Sequence, residues 1–375
     1  MRDRAALALA WLVIGCGAPG DGASAGGTER ALCAPTLPSA RYSYSDADAP
    51  IPNHFLTSTA GTVAFSDNTP RDNPITNAGA TLGRVLFYDV RLSANNRIAC
   101  ASCHRQALGF GDTARFSLGL HGAHPARRTM ALANARFNPT GRFFWDERAP
   151  SLEAQVLQPI QDSVEMGMDL DALERKLSIT PYYPALFAAA FGATEVTRTR
   201  IASALAQFVR ALLSTESRFD AVFATGGAPD PSRLTGQERD GMRIFSNVGC
   251  VNCHRTIAQF ADKANDNGLD SVPVDTGEGQ RRFKPASLRN IAVRPPYMHD
   301  GRFHTLRQVV EFYNTGVQAS PFLDPRLREA DGSPRRLRLT SDQVDALVAF
   351  LEALTDSAFL HAPKFSDPFV CGVVR

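Results

Sequence analysis

Seven cysteines lie along the 375 residues, and four of them fall into one repeated pattern, Cys100-Ala-Ser-Cys103-His104 and Cys250-Val-Asn-Cys253-His254. Two thiols two residues apart, followed at once by an imidazole, suit three chemistries. The thiols can add to one porphyrin edge while the histidine ligates its iron, the three groups can bind zinc, or the thiols can cycle as a redox dithiol. Two copies in one chain favour two covalently bound c-type haems, with His104 and His254 as the iron ligands next to each attachment.

The other three cysteines concern export. Cys16 follows a charged start and a short apolar run in "MRDRAALALAWLVIGCG". That run has the form of a signal peptide and is too short to span a bilayer. "VIGC" is similar to a bacterial lipobox, in which Cys16 becomes the lipidated first residue. The alternative is an ordinary cleaved signal whose cysteine is incidental. The chain therefore divides into a signal over 1–15, a lipid-anchored flexible linker over 16–48, rich in Gly, Ala and Ser from Gly17 to Gly27, and a periplasmic body tethered to the outer membrane. Cys33 and Cys371 are expected to pair, closing a long loop in an oxidising compartment.

Elements that can hold two such sites are legible around them. "GRVLFYD" from Gly83 and "GMRIFSN" from Gly241 precede the two motifs and read as an internal duplication of a haem-binding helical unit. Capping-box patterns at Thr235 with Glu238, Thr305 with Gln308, and Thr340 with Gln343 mark helix starts. Ile201, Leu205, Phe208, Val209 and Leu212 share one helical face. Alternating strand-like segments are scarce. The fold class is thus mainly α, with two cytochrome c-like haem domains over 49–225 and 226–375, joined by "TGGAPDPSR" at 225–233. A hydrophobic content of 44% supports cores in both, and 40 basic against 38 acidic residues, a net charge of +2, gives no general attraction to nucleic acid.

From about Asn73 to Asp356 the chain resembles the bacterial dihaem cytochrome c peroxidase and MauG family. The likeness rests on "LGRVLFYDVRLSANNRIACASCH", "FFWDERAPSLEAQVLQPIQDSVEMG", "CVNCH" and "SLRNIAVRPPYMHDGRFHTLRQVVEFYNTG". The resemblance implies a first haem that meets peroxide and a second that stores or relays electrons. It further implies that Glu165 is the acid-base group on the open face of the first haem, with Gln155 as its orienting partner and Pro159 shaping the pocket. Trp145 lies between the haems by the same likeness and either relays electrons or fills core. The sixth ligand of the second iron comes from the closing helix, a methionine in cytochrome c peroxidases of the family and a tyrosine in MauG. That position is Tyr313 here, with Met298 as the rival ligand and plain core packing the reading for both otherwise. A phenolate would lower the haem potential, where a thioether would raise it.

Two departures qualify the likeness. Relatives commonly hold calcium between the haems with the Asn of an Arg-Asn-Thr run, whereas this chain has Arg127-Arg128-Thr129, and Arg294 near the matching second segment. Calcium is therefore doubtful. The loop "SLGLHGAHPARR" resembles the MauG type, which supplies no iron ligand, so His121 and His124 read as solvated and the first haem as open. The implied function is reduction of hydrogen peroxide with electrons from a small cytochrome or other redox protein. A MauG-like oxidation of aromatic residues of a partner protein is the second reading, and a non-enzymatic electron-transfer cytochrome the third.

Overall fold

The computed structural model describes residues 33–369 apart from 58–61, 64, 225–227, 261–262 and 273. The expected signal, Cys16 with its expected lipid, and Cys371 lie outside the described residues. Cys33 is disulfide-bonded.

Twelve α-helices occur among the described residues, and strand pairing there is confined to isolated bridges. The first series is α1 (Asn53–Thr57), α2 (Asn77–Tyr88), the single turn α3 (Cys100–Cys103), α4 (Leu152–Gln161), α5 (Leu170–Ser178), α6 (Tyr183–Phe191) and α7 (Arg198–Arg210). The second is α8 (Arg218–Phe223), α9 (Gly236–Asn247), α10 (Leu306–Glu311) running into a π-helical turn at Phe312–Gly316, α11 (Ser341–Glu352) and α12 (Ser357–His361). All three anticipated capping boxes are formed, at the starts of α9, α10 and α11. Each typically contributes about 1 kcal/mol to its helix. Among the described residues, none of the helices is long and apolar enough to cross a membrane.

The duplication runs deeper than the two short segments that announced it. Helix α2 crosses α7 at Gly83, where any Cβ would overlap the Ala204 carbonyl and press on Phe208. Helix α9 crosses α11 at Gly241, where a Cβ would overlap the Ala346 carbonyl and press on Phe350. Phe87 then packs on Phe208 at 5.3 Å and lies 6.4 Å from the His104 ring, while Phe245 packs on Phe350 at 5.1 Å and lies 6.5 Å from His254. Two further loops correspond: Phe143 pairs with Ala149 around Trp145, and Tyr297 pairs with Phe303 around His299. Phe144 and Met298, one residue before those rings, both adopt left-handed backbone.

Two cores form, but they exchange segments across the expected boundary at 225/226. Phe359, Leu360, Phe365 and Phe369 belong to the first core, and Phe55, Phe137 and Phe219 belong to the second. The flexible linker expected over 16–48 also ends early. Thr36 N–H donates to the Pro368 carbonyl at 2.7 Å, and Tyr44 is buried with its hydroxyl on the Lys364 carbonyl. The apolar surface of Tyr42 and Tyr44 accounts for this, because it gains more by burial than a tether gains by freedom. In the second core Arg289 and Asp220 form an ion pair whose side chains are 0% and 2% exposed. Burial alone would raise the Asp220 carboxyl, yet Arg289, His54 and Ser217 hold it down to about 2.

Candidate functional site

A cavity of about 910 Å³ opens between the halves, with Cys100, Cys103 and His104 on one wall. Helix α4 lines the same cavity with Leu152, Gln155, Val156 and Pro159, at i, i+3, i+4 and i+7. Ser151 caps this helix by accepting the Ala154 N–H at 3.2 Å. The other face is anchored by Glu153, which pairs with buried Arg210 at 2.5 Å. Gln155 is thus aimed into the cavity by helical period, with the helix itself locked from behind.

Glu165 reaches the same cavity from the turn after α4. Asp162 ends the helix and accepts the Val164 N–H at 2.7 Å, turning the chain back. The loop after the first motif then pins that turn, since Leu120 N–H donates to the Val164 carbonyl at 2.8 Å and to the Glu165 carbonyl at 3.0 Å. Gly119 permits this approach, because a Cβ there would overlap the Val164 carbonyl. Burial raises the Glu165 carboxyl, nearby Asp162 raises it further and Arg148 opposes both, leaving it pushed up to about 7. A carboxyl at that value takes up and gives back a proton near neutral pH.

The Cys100, Cys103 and His104 lining suits a covalent porphyrin. The His104 Nδ1–H donates to the Phe110 carbonyl at 2.9 Å, so its bare nitrogen is Nε2, the one free to ligate iron. Burial pushes the thiols up, Cys100 to about 12 and Cys103 to about 11. A cavity of this size lies within the roughly 300–1,000 Å³ typical of cofactor sites.

The second motif has a matching set. Burial holds the His254 imidazole down to about 4, neutral and able to ligate, and pushes the Cys250 thiol up to about 12. Tyr313 sits half-buried on the π-helical turn after α10, its hydroxyl accepting from Asn267 Nδ2 at 3.2 Å. Met298 is beside it, its sulfur 3.8 Å from the same Asn267 nitrogen. The structure therefore brings both rival ligands to one place. Burial raises the Tyr313 phenol to about 12 while the Asn267 hydrogen bond opposes the rise. An anionic oxygen there needs a cation such as ferric iron to stabilise it.

Trp145 also lines the cavity, where the halves meet. Its indole N–H donates to the Arg128 carbonyl at 2.7 Å, and its own carbonyl accepts the Lys284 N–H at 2.8 Å. Its ring lies 6.4 Å from its structural counterpart His299, which stacks on Phe283 at 3.8 Å. The two loop histidines part company. Both are exposed, but His124 also borders the cavity, with its Nδ1–H on the Ser117 carbonyl at 3.0 Å. Arg128 does not fit calcium, for its guanidinium donates to the backbone carbonyls of Asp112 and Arg294 that could otherwise face a metal. Sequence reasoning missed Gly119, the Trp145–His299 correspondence and the bonds of Arg128. Only the similarity of "FFWDERA" to "YMHDGRF" offered a signal for the second.

The family model described as di-haem cytochrome c peroxidase matches residues 77–227. A methylamine utilization protein MauG of Methylorubrum extorquens is 35% identical over 297 residues, which cover 76% of this chain and 80% of that one. The cytochrome c551 peroxidase of Nitrosomonas europaea is 32% identical over 303 residues, covering 78% and 83%. Among solved structures, a MauG-like protein associated with microbial copper homeostasis matches with a TM-score of 0.69 at 30% identity, covering 80% of this chain and 95% of that one. The diheme peroxidase BthA of Burkholderia thailandensis matches with 0.64 at 25% identity, covering 80% and 92%. Two c-type haems are the cofactors that these relationships and the paired motifs assign. With its repeated attachment motifs, its helical halves and relatives covered over most of their length, the chain belongs to the dihaem cytochrome c peroxidase and MauG family.

Proposed function

We propose that this protein reduces hydrogen peroxide to two waters, consuming two protons and two electrons that a small redox protein delivers singly. The observation that carries this reading is the convergence of Gln155 and Glu165 on the cavity that also holds Cys100, Cys103 and His104. A pure electron carrier needs no such polar wall.

Cys100, Cys103 and His104 would hold the first haem, and Cys250, Cys253 and His254 the second, with Tyr313 as its sixth ligand. When bound, these groups supply iron that binds an oxygen donor and changes oxidation state one electron at a time. The protein does the rest. Glu165, as carboxylate, takes the proton from one oxygen of peroxide and returns it to the other, which departs as water. Gln155 orients the peroxide by hydrogen bonding, and Pro159 keeps that helix face close to the cavity. Trp145 stands between the halves, held at both its indole N–H and its carbonyl, and serves as the relay. Met298 and Tyr313 share Asn267, and the hard phenolate oxygen is the better ligand for ferric iron.

A second reading follows from Tyr313. A phenolate would lower the second haem's potential and so make that haem easier to oxidise, allowing it to store oxidising equivalents supplied by peroxide for later transfer to aromatic residues of a partner protein. The disulfide at Cys33 supports an oxidising compartment. We place the protein in the periplasm on that ground, with residues 1–15 as its signal and Cys16 as its lipid-bearing residue at the outer membrane.

The test is steady-state turnover of the holoprotein with hydrogen peroxide and a reduced small c-type cytochrome. Two cytochromes oxidised per peroxide is the expected stoichiometry. No turnover with both haems attached would reject the reading, and peroxide-dependent oxidation of tyrosine or tryptophan in a partner protein would favour the second.

A further inference from the structure

Two guanidinium groups are buried at the junction of the halves, their hydrogen bonds going to backbone carbonyls. Arg128 and Arg294 are each 3% exposed. Arg128 Nη2 donates to the Asp112 carbonyl of the first half and, at 2.6 Å, to the Arg294 carbonyl of the second, while its Nη1 reaches the Thr129 carbonyl at 3.4 Å. Arg294 in turn donates to the Ser287 carbonyl at 2.6 Å. Asp112 lies two residues beyond Phe110, whose carbonyl fixes the His104 ring. The backbone of Arg128 completes the set: its N–H donates to the His299 carbonyl at 2.7 Å, and its carbonyl accepts the Trp145 indole N–H at 2.7 Å.

Carbonyls that converge from two segments make a ligand set for a hard cation. Here a tethered cation already occupies it. A buried charge is costly, and neutral carbonyls repay part of that cost only while the guanidinium remains among them, so the two halves are held in register by the same contacts. One residue thereby touches the loop that orients His104, the segment that leads to Met298 and His299, and the indole between them.

We propose that Arg128 is the positioning residue of this junction: its guanidinium is the resident cation that joins the halves, and its carbonyl sets Trp145, so that electron exchange depends on this side chain and not on a free divalent ion. The inference rests on the reading of Trp145 as the relay. One electron crosses in each event, and the indole proton stays on its nitrogen, because a backbone carbonyl is not a base.

Full-length holoprotein tests this with four chains: wild type, Arg128→Lys, Arg128→Met and Trp145→Phe. Each is measured for calcium content by elemental analysis, melting by circular dichroism with and without a calcium chelator, and electron exchange between the haems in the half-reduced state. Wild type should hold less than stoichiometric calcium and lose neither melting temperature nor exchange rate on chelation. Arg128→Lys keeps a cation among the carbonyls and should exchange at close to the wild-type rate. Arg128→Met should slow exchange by about tenfold or more, the scale set by small misplacements of reacting groups. One calcium per chain, with exchange lost on chelation, would overturn the proposal. So would Arg128→Met exchanging normally while Trp145→Phe is slow. If Trp145→Phe exchanges normally, the relay itself is rejected, and the inference falls with it. Should Arg128→Met not fold, the lysine variant and the chelation of wild type still decide the matter.

Discussion

Replacing Glu165 by glutamine removes the one carboxyl that lines the cavity with a value near neutrality. The structure sets the size of the effect. Burial is the largest influence on Glu165, Asp162 adds to it, Arg148 opposes both, and the balance falls at about 7. If the carboxylate is the reactive form, its fraction falls from about nine-tenths at pH 8 to about one-tenth at pH 6, and the peroxide step slows about tenfold over that range. A haem in the cavity displaces more water, so the midpoint should sit at or above this value. Glu165→Gln should slow the step by about 10²–10⁴-fold and flatten its pH dependence. Asp162→Asn keeps the oxygen that accepts the Val164 N–H but removes the charge, so the midpoint should move down. Arg148→Met should move it up. The assay is stopped-flow mixing of the diferric protein with hydrogen peroxide from pH 5.5 to 8.5, a window of about 1.5 units either side of that midpoint. A flat wild-type profile, or a glutamine variant that retains the wild-type slope, refutes this role for Glu165.

Two further outcomes are expected. Tyr313→Phe should raise the reduction potential of the second haem and change its absorption, whereas Met298→Leu should leave both as they are; spectroelectrochemistry separates the two, and the opposite pattern would make Met298 the ligand. Asp220→Asn leaves Arg289 as an unpaired buried cation and should cost about 3–5 kcal/mol in chemical denaturation of the holoprotein, with a loss below about 1 kcal/mol counting against it. The same carboxyl is held at about 2, below its unfolded value. Its contribution is therefore complete above about pH 4 and disappears as pH falls through about 2.

The sequence announced the chemistry more fully than the architecture. Both attachment motifs were legible because two thiols and an imidazole at fixed spacing have few uses, and helix starts were legible because a capping box is local. Gln155 came only from the family likeness, and the helix face it shares with Leu152, Val156 and Pro159 emerged with the fold. Glu165 required the family likeness, since a turn built on Asp162 and pinned by Leu120 leaves no periodic trace. The exchange of segments between cores was hidden, because Phe359 and Phe369 look like any apolar residues near a chain end and their partners are hundreds of positions away. Arg128 was visible as a departure from the family pattern, but its role depends on which carbonyls it meets, and only the fold determines that.

The central claim is a first haem site open to peroxide, with Glu165 and Gln155 lining it. Rapid mixing of the fully oxidised holoprotein with hydrogen peroxide, without any reductant, tests it most directly. A prompt change in the haem absorption of wild type is predicted. An oxidised protein that stays silent until one haem has been reduced, and responds only then, would contradict an open site and point instead to a ligand such as His124 occupying that face.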